Sequence, residues 1–383
     1  MTSILDKRFR IKDSIDIYID DRVEERTKIQ FYKINTREKI SITADRQVTE
    51  VLRCLSGVAP VQEELNELGY TFDEVEAINL FTFLAQKNVI EEITETPPPI
   101  DNYLIDRYLR QINFFDNFFD HVTGYEAQNK LLKTKLTIIG AGAVGSNIAT
   151  QLTRAGLGAI QIIDPKELSE GSIERHSFAT RFNIGVPKVT ALKEHLEQIN
   201  PGIHITTSRS LLTPTTNLDA LIDQDTDLVI NTADEPYIGH TSTKLGRYLW
   251  PKKLPLYVAG GFDAHHMSTG EFIIPGITPC IDCCSNTFRE ALKDWKPTYA
   301  SDQTSTKSRP KPITENSFQS IGGSYAQSLF SSSHASITII SFIIKKDKNL
   351  PKLSKRGEYL INHGTMTWFA MQKSEKCNVC GIL

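Results

Sequence analysis

Near its start the chain shows three short apolar-rich runs at strand spacing. They predict strands over residues 15–19, 29–34 and 39–42, with Asn35-Thr36-Arg37-Glu38 closing the last two into a hairpin. Val48, Val51, Leu52 and Leu55 then recur at the i, i+3, i+4, i+7 spacing that gives a helix one apolar face. Further helical segments are predicted over 60–68 and 73–87. A hairpin with three helices is the content of a small winged-helix module. Helix is predicted again over 106–119, ending in Asn-Phe-Phe-Asp twice over (113–116 and 117–120). Its Phe114, Phe115, Phe118 and Phe119 read as core or subunit interface. From Lys135 onward the periods of strand and helix alternate. Strands are expected at 136–139, 159–163, 228–230 and 256–258, with helices up to about Ala155 and over 188–199. Such alternation predicts an α/β fold with a mostly parallel sheet covered by helices.

Pro97-Pro98-Pro99 interrupts this pattern, because consecutive prolines stiffen the backbone into an extended spacer. The predicted organisation is a small module over 1–95, a proline-rich linker over 96–102 and a nucleotide-binding domain over 103–383. The stretch 296–324, rich in Ser, Thr, Lys and Pro, reads as a loop. At 383 residues two domains are the natural expectation, and 40% hydrophobic with 23% charged residues is the composition of a soluble globular protein. The net charge of −3 gives no broad basic face for nucleic acid. The polar, charged start Met1-Thr2-Ser3-Ile4-Leu5-Asp6-Lys7 lacks the apolar run of a signal peptide. A cytoplasmic location is therefore the expectation.

Chemistry enters with Gly140-Ala-Gly142-Ala-Val-Gly145, which lies between a predicted strand and a predicted helix. Glycines there allow a tight turn, and unpaired amides at a helix start attract phosphate. Asp164 ends the next strand 19 residues after Gly145, placed to accept hydrogen bonds from a ribose. These features fit NAD as well as ATP. Arg175, Lys188 and Asp234 favour ATP: two cations to grip a triphosphate, and a carboxylate beyond a buried strand to hold Mg²⁺. The candidate nucleotide residues are thus Gly140, Gly142, Gly145, Asp164, Arg175, Lys188 and Asp234.

Four of the six cysteines form two C-x-x-C pairs, Cys280/Cys283 and Cys377/Cys380. Two such knuckles make a closed, tetrahedral, structural zinc site; a redox dithiol would need only one pair. Residues 285–376 hold no cysteine, Cys54 reads as core, and Cys284 adjoins the first knuckle. A thioester relay is accordingly not expected. The isolated histidines, His265-His266 among them, read as loop residues.

Over roughly 103–383 the chain resembles the ThiF/MoeB/E1-like adenylyltransferases. Arg107-Tyr-Leu-Arg110-Gln111 is similar to their R-Y-x-R-Q opening, and 164–176 is similar to D-x-D-x-V-x-x-S-N-L-x-R-Q. Three departures fall inside that segment: Lys166 for the second Asp, Gly171-Ser172 for Ser-Asn, and His176 for Gln. With the front module, Ala233-Asp234-Glu235-Pro236 and the closing Cys-x-x-Cys-Gly, the likeness extends to peptide-antibiotic maturation enzymes of the microcin C7- and pantocin-forming types. The resemblance implies a winged-helix clamp over 1–95 that binds the leader of a ribosomally made precursor peptide by strand addition. It also implies a homodimer in which Arg110 reaches the partner's ATP.

On that reading a peptide carboxylate, or an amide, attacks the α-phosphate of Mg²⁺-bound ATP and pyrophosphate leaves. Asp234 holds the metal while Arg110, Arg175 and Lys188 stabilise the developing charge. The adenylate is then captured within the same peptide, or the amide leaves a phosphoramidate. The main alternative is a sulfur-carrier adenylyltransferase of thiamin or molybdopterin synthesis. A nicotinamide oxidoreductase leaves the cysteine pairs unexplained, and a catalytically inert scaffold would carry a degraded ATP site.

Overall fold

The computed structural model describes residues 3–20, 26–69, 73–93, 99–119, 122–235, 237–260, 266–291, 323–345 and 354–381. Residues 96–98 of the proline-rich stretch, Pro236, His265 and the expected loop over 296–322 lie outside them. The chain forms two compact units, Met1–Asn129 and Lys130–Leu383.

In the first unit, β1 (Phe9–Ile11) begins a two-stranded ladder that is completed much later in the chain. β2 (Ile15–Asp20), β3 (Thr27–Lys33) and β4 (Lys39–Ala44) form an antiparallel sheet in that order. The expected β3–β4 hairpin is present, with Arg37 at φ 60° in its turn. Helices α1 (Arg46–Cys54), α2 (Val61–Glu67) and α3 (Glu74–Gln86) follow. Asp45 caps α1 by accepting from the Gln47 amide, and Asp73 caps α3 by accepting from the amides of Val75 and Glu76. β5 (Ile90–Glu92) pairs antiparallel with β1. Ile29, Phe31, Val61, Phe81, Leu84 and Val89 are fully buried between these elements. Each large apolar side chain removed from water there contributes about 1.5–3 kcal/mol.

Helix α4 (Asn102–Phe118), capped by Asp101, belongs to the same unit, and α5 (Gly124–Leu132) leads out of it. The Lys12 ammonium donates to the Asp116 carbonyl and the Asn35 amide to that of Asn117, which ties α4 to the strands. The phenylalanine doublet divides by helical phase. Phe115 and Phe119 are buried, whereas Phe114 and Phe118 stack on each other at the surface.

The second unit is built on β6 (Lys135–Ile139), α6 (Ala143–Arg154), β7 (Ala159–Ile163), α7 (Glu170–Ile173), α8 (Lys188–Ile199), β8 (His204–Ser208), α9 (Leu218–Leu221), β9 (Leu228–Asn231), α10 (Ile238–Leu249) and β10 (Leu256–Val258). Beyond these come β11 (His266–Ser268), β12 (Glu271–Ile273), α11 (Ile281–Ala291), α12 (Tyr325–Lys345), β13 (Lys355–Leu360) and β14 (Thr365–Ala370). The main sheet runs β12-β10-β9-β6-β7-β8, all parallel except the β12 edge. The expected mostly parallel α/β sheet is therefore present. Its inner strands β6, β7, β9 and β10 read as nearly continuous apolar runs because both faces are covered.

Strand order reverses beside β6: the chain proceeds to β7 and β8 on one side and then to β9 and β10 on the other. Sheets of this kind bind ligands at the carboxyl ends of the strands flanking such a reversal. The smaller sheet β11-β13-β14 and helix α12 were not anticipated from the sequence. α12 lies on α6, where Asn147 reaches Ser328 and Gln151 reaches Ser333. Among the described residues no helix is long and apolar enough to cross a membrane.

Candidate functional site

A pocket opens at the strand reversal. Gly140 and Gly142 after β6, Asp164 and Lys166 after β7, Lys188 at the start of α8, and Thr232, Ala233, Asp234 and Glu235 after β9 all line it. The glycine turn has three separate steric reasons. Gly140 holds φ at +101°, and a Cβ there would meet the Thr232 hydroxyl at 2.5 Å. A Cβ on Gly145 would lie 2.0 Å from the Gly140 carbonyl, so only glycine lets α6 begin this close. Gly142 faces open space, leaving room for a ligand at the amide end of α6. Gly145 is thus under the turn rather than in the pocket wall.

Asp164 is buried, and both of its oxygens accept from backbone: Oδ2 from Ala141 at 2.7 Å and Oδ1 from Lys166 at 2.8 Å. This carboxylate locks the glycine turn to the end of β7 and retains lone pairs for a further donor. Asp234 is exposed at the pocket rim, and the backbone of Ala233 just before it is clamped by residues that sequence reasoning missed. The Ala233 amide donates to Asn231 Oδ1 at 3.1 Å, while the Thr241 hydroxyl donates to the Ala233 carbonyl at 2.6 Å. Thr232 likewise donates to the Gly140 carbonyl at 2.7 Å, joining the β6 and β9 loops. An asparagine closing a buried strand and a threonine just beyond it, next to an acid, were the available signals.

Lys188 supplies the pocket's unmatched charge. Among the described residues its ammonium has no hydrogen-bond or ion-pair partner, although the residue is half-buried. Burial lowers its pKa, Lys166 and Arg175 push the same way, and Asp164 and Asp234 oppose them. Arg175 does not line the pocket: it is exposed on the turn after α7, with Nε donating to the Gly171 carbonyl at 3.2 Å. Its charge is nevertheless felt at both Lys188 and His176. His176 is buried, and its Nδ1 donates to the Ser172 carbonyl at 2.9 Å, which leaves Nε2 unprotonated and, among the described residues, without a partner. Burial first, then Lys188, lowers its pKa to about 4. Arg110 is exposed on α4, in the first unit.

The cysteines converge elsewhere in the second unit. The sulfurs of Cys280, Cys283, Cys377 and Cys380 all lie within 4.8 Å of one another, the shortest separations being 3.4 Å (Cys280–Cys377) and 3.5 Å (Cys283–Cys380). Four sulfurs at about 2.3 Å from a central zinc stand about 3.8 Å apart, so the donor set fits that ion. The Ser374 amide points at Cys283 Sγ and the Val379 amide at Cys377 Sγ, contacts suited to thiolates. Cys284 is buried beside the knot, and burial pushes its thiol up.

With this geometry, the pattern of the ThiF family matches residues 108–379. The chain belongs to the ThiF family. It is 30% identical over 179 residues to the vegetative protein HesA of Trichormus variabilis, covering 47% of this chain and 63% of that one. It is 32% identical over 149 residues to the adenylyltransferase and sulfurtransferase MOCS3 of Anopheles gambiae, covering 39% and 30%. The chain thus spans less than two thirds of the length of these curated relatives. Among solved structures, Escherichia coli MccB superposes with a TM-score of 0.72 at 18% identity, covering 97% of this chain and 96% of that one. PaaA gives 0.68 at 18% identity, covering 95% and 100%. These likenesses run the length of the chain and concern its fold.

Proposed function

We propose that this member of the ThiF family is an ATP-dependent adenylyltransferase that activates a carboxylate or amide of a ribosomally made precursor peptide. The observation that carries the reading is the pocket itself. A glycine turn at a helix start, the buried Asp164, the half-buried Lys188 and the rim carboxylate Asp234 meet at the reversal of strand order in the main sheet. Asp164 takes the ribose, the amides at α6 and the Lys188 ammonium take phosphates, and Asp234 takes Mg²⁺. Lys188 and Arg175 offset the negative charge that grows on the α-phosphate during attack, and Arg110 of a partner subunit adds to them in a homodimer. A divalent metal held by Asp234 would supply positive charge to offset that of the phosphates. Structural zinc on Cys280, Cys283, Cys377 and Cys380 pins the C-terminal tail to α11.

Support for a peptide substrate comes from the likeness to MccB and PaaA along the whole chain, front module included. MccB has been crystallised with ATP and with MccA. In this reading residues 1–95 form a winged-helix clamp for the leader, 96–102 a linker and 103–383 the adenylating domain, all working in the cytoplasm. Tethering the leader raises the reacting end to roughly millimolar effective concentration. No thioester step is needed, since Cys284 is sealed in the core and its thiol is held protonated.

A second reading is favoured by the match to MOCS3: activation of a sulfur-carrier protein. ATP–pyrophosphate exchange separates the two. Exchange stimulated by a synthetic peptide encoded in a short reading frame beside the gene supports peptide activation; stimulation by a sulfur carrier alone supports the alternative. Asp234→Ala is expected to lower exchange by at least about 100-fold, as loss of a metal-holding carboxylate should. Undiminished exchange in that variant would remove the metal assignment.

A further inference from the structure

Lys166 stands where the resembling family carries a second carboxylate, and the structure gives this departure a physical context. The Lys166 backbone is pinned on both sides: its amide donates to Asp164 Oδ1 at 2.8 Å, and its carbonyl accepts from the Lys188 amide at 2.9 Å. The residue therefore sits between the acid assigned to the ribose and the start of the helix that presents Lys188. Its side chain lines the same pocket and adds to the positive potential at Lys188.

At the pocket mouth the Lys166 ammonium is paired with the Glu235 carboxylate, which comes from the loop after β9, next to Asp234. The pair therefore bridges the loops after β7 and β9. Both side chains are half exposed, at 51% each. Ion pairs this exposed hold only weakly, because water screens them and two flexible side chains must be ordered. Lys166 is thus easily drawn to a stronger acceptor. The neighbouring acid Glu167 does not compete for it, being engaged by Arg209 at 2.8 Å.

We propose that Lys166 is a phosphate ligand of the nucleotide pocket, held by Glu235 while the pocket is empty and handed over to the triphosphate when ATP enters. The assignment rests on the ATP reading of this pocket. A phosphate oxygen carries more localised charge than a screened surface carboxylate, and a lysine bond to it is charge-assisted. The exchange turns a weak clasp into a ligand contact, and the cation that replaces the family's carboxylate becomes part of the triphosphate grip beside Lys188.

The test is calorimetric titration of the full chain with Mg·ATP and, separately, with adenosine. Lys166→Ala is expected to weaken ATP by about 10-fold, the scale of one charge-assisted hydrogen bond, and adenosine by less than about 2-fold. Lys166→Arg keeps the charge and is expected to stay within about 3-fold of the parent for ATP. Glu235→Gln, which releases the lysine in advance, is expected to tighten ATP by up to about 5-fold. Unchanged ATP affinity in Lys166→Ala, or an equal loss for adenosine and ATP, overturns the assignment. Thermal unfolding of each variant separates a folding defect from a binding one. Should the parent chain bind adenosine but not ATP, or neither, the reading of the pocket itself falls, and Lys166 with it.

Discussion

The cysteine knot and the pocket at the strand reversal are both assembled from distant parts of one unit, yet they are opposite kinds of site. The knot is buried, and its four like donors already stand at the spacing of a tetrahedral ion. The pocket is open at its rim, mixes carboxylates with cations and leaves the Lys188 charge unmatched. A closed donor set holds structure together, whereas an unmatched one is completed by a ligand that comes and goes. Damage to the first should cost stability, and damage to the second should cost binding.

The largest expected effect breaks the closed site. Cys280→Ser, or removal of metal with a chelator, should release the tail that carries Cys377 and Cys380. Structural zinc is worth about 10–16 kcal/mol in small zinc-finger peptides. A loss of even about 5 kcal/mol here would lower Tm by roughly 10 °C or more. Thermal unfolding with parallel zinc analysis checks this; a stoichiometrically zinc-free protein with unchanged Tm would contradict it.

A smaller effect sharpens the contrast at the pocket wall. The His176 pKa is lowered from 6.5 to about 4 in the folded chain. The unfolded state therefore binds more protons between those values, and stability falls as pH drops through that window. The full linkage is about 3 kcal/mol, of which about 2 kcal/mol should be gone by pH 5. Denaturant titrations at pH 7 and pH 5 should show that loss in the parent chain and a flatter dependence in His176→Gln. An imidazole that titrates near 6.5 by NMR would refute the account of its burial.

These particulars also show what the sequence could reveal. The glycine turn, Asp164, Lys188 and the cysteine pairs were legible because each depends on residue type at short spacing, before or after a strongly apolar strand. The hairpin β3–β4 was legible for the same local reason. The β1–β5 pairing was not, because its partners are some eighty residues apart and only three residues long each. Helix α12 escaped notice because serines fill its buried face against α6, so its pattern is one of size rather than hydrophobicity. The Thr232 and Thr241 hydroxyls and the Lys166–Glu235 pair act across loops from different strands. No local pattern encodes such contacts. His176 was visible only as a departure from the family's Gln, and its importance follows from burial beside Lys188.

The central claim, that the unmatched cation of the open pocket exists to grip a triphosphate, is tested most directly by titrating Mg·ATP into the parent chain and Lys188→Ala. Removing a half-buried, unpaired ammonium should leave Tm unchanged or raise it slightly, by less than about 1 kcal/mol of stability. The same change should weaken ATP by about 10- to 100-fold. A variant that loses stability but binds ATP as tightly as the parent would contradict the account.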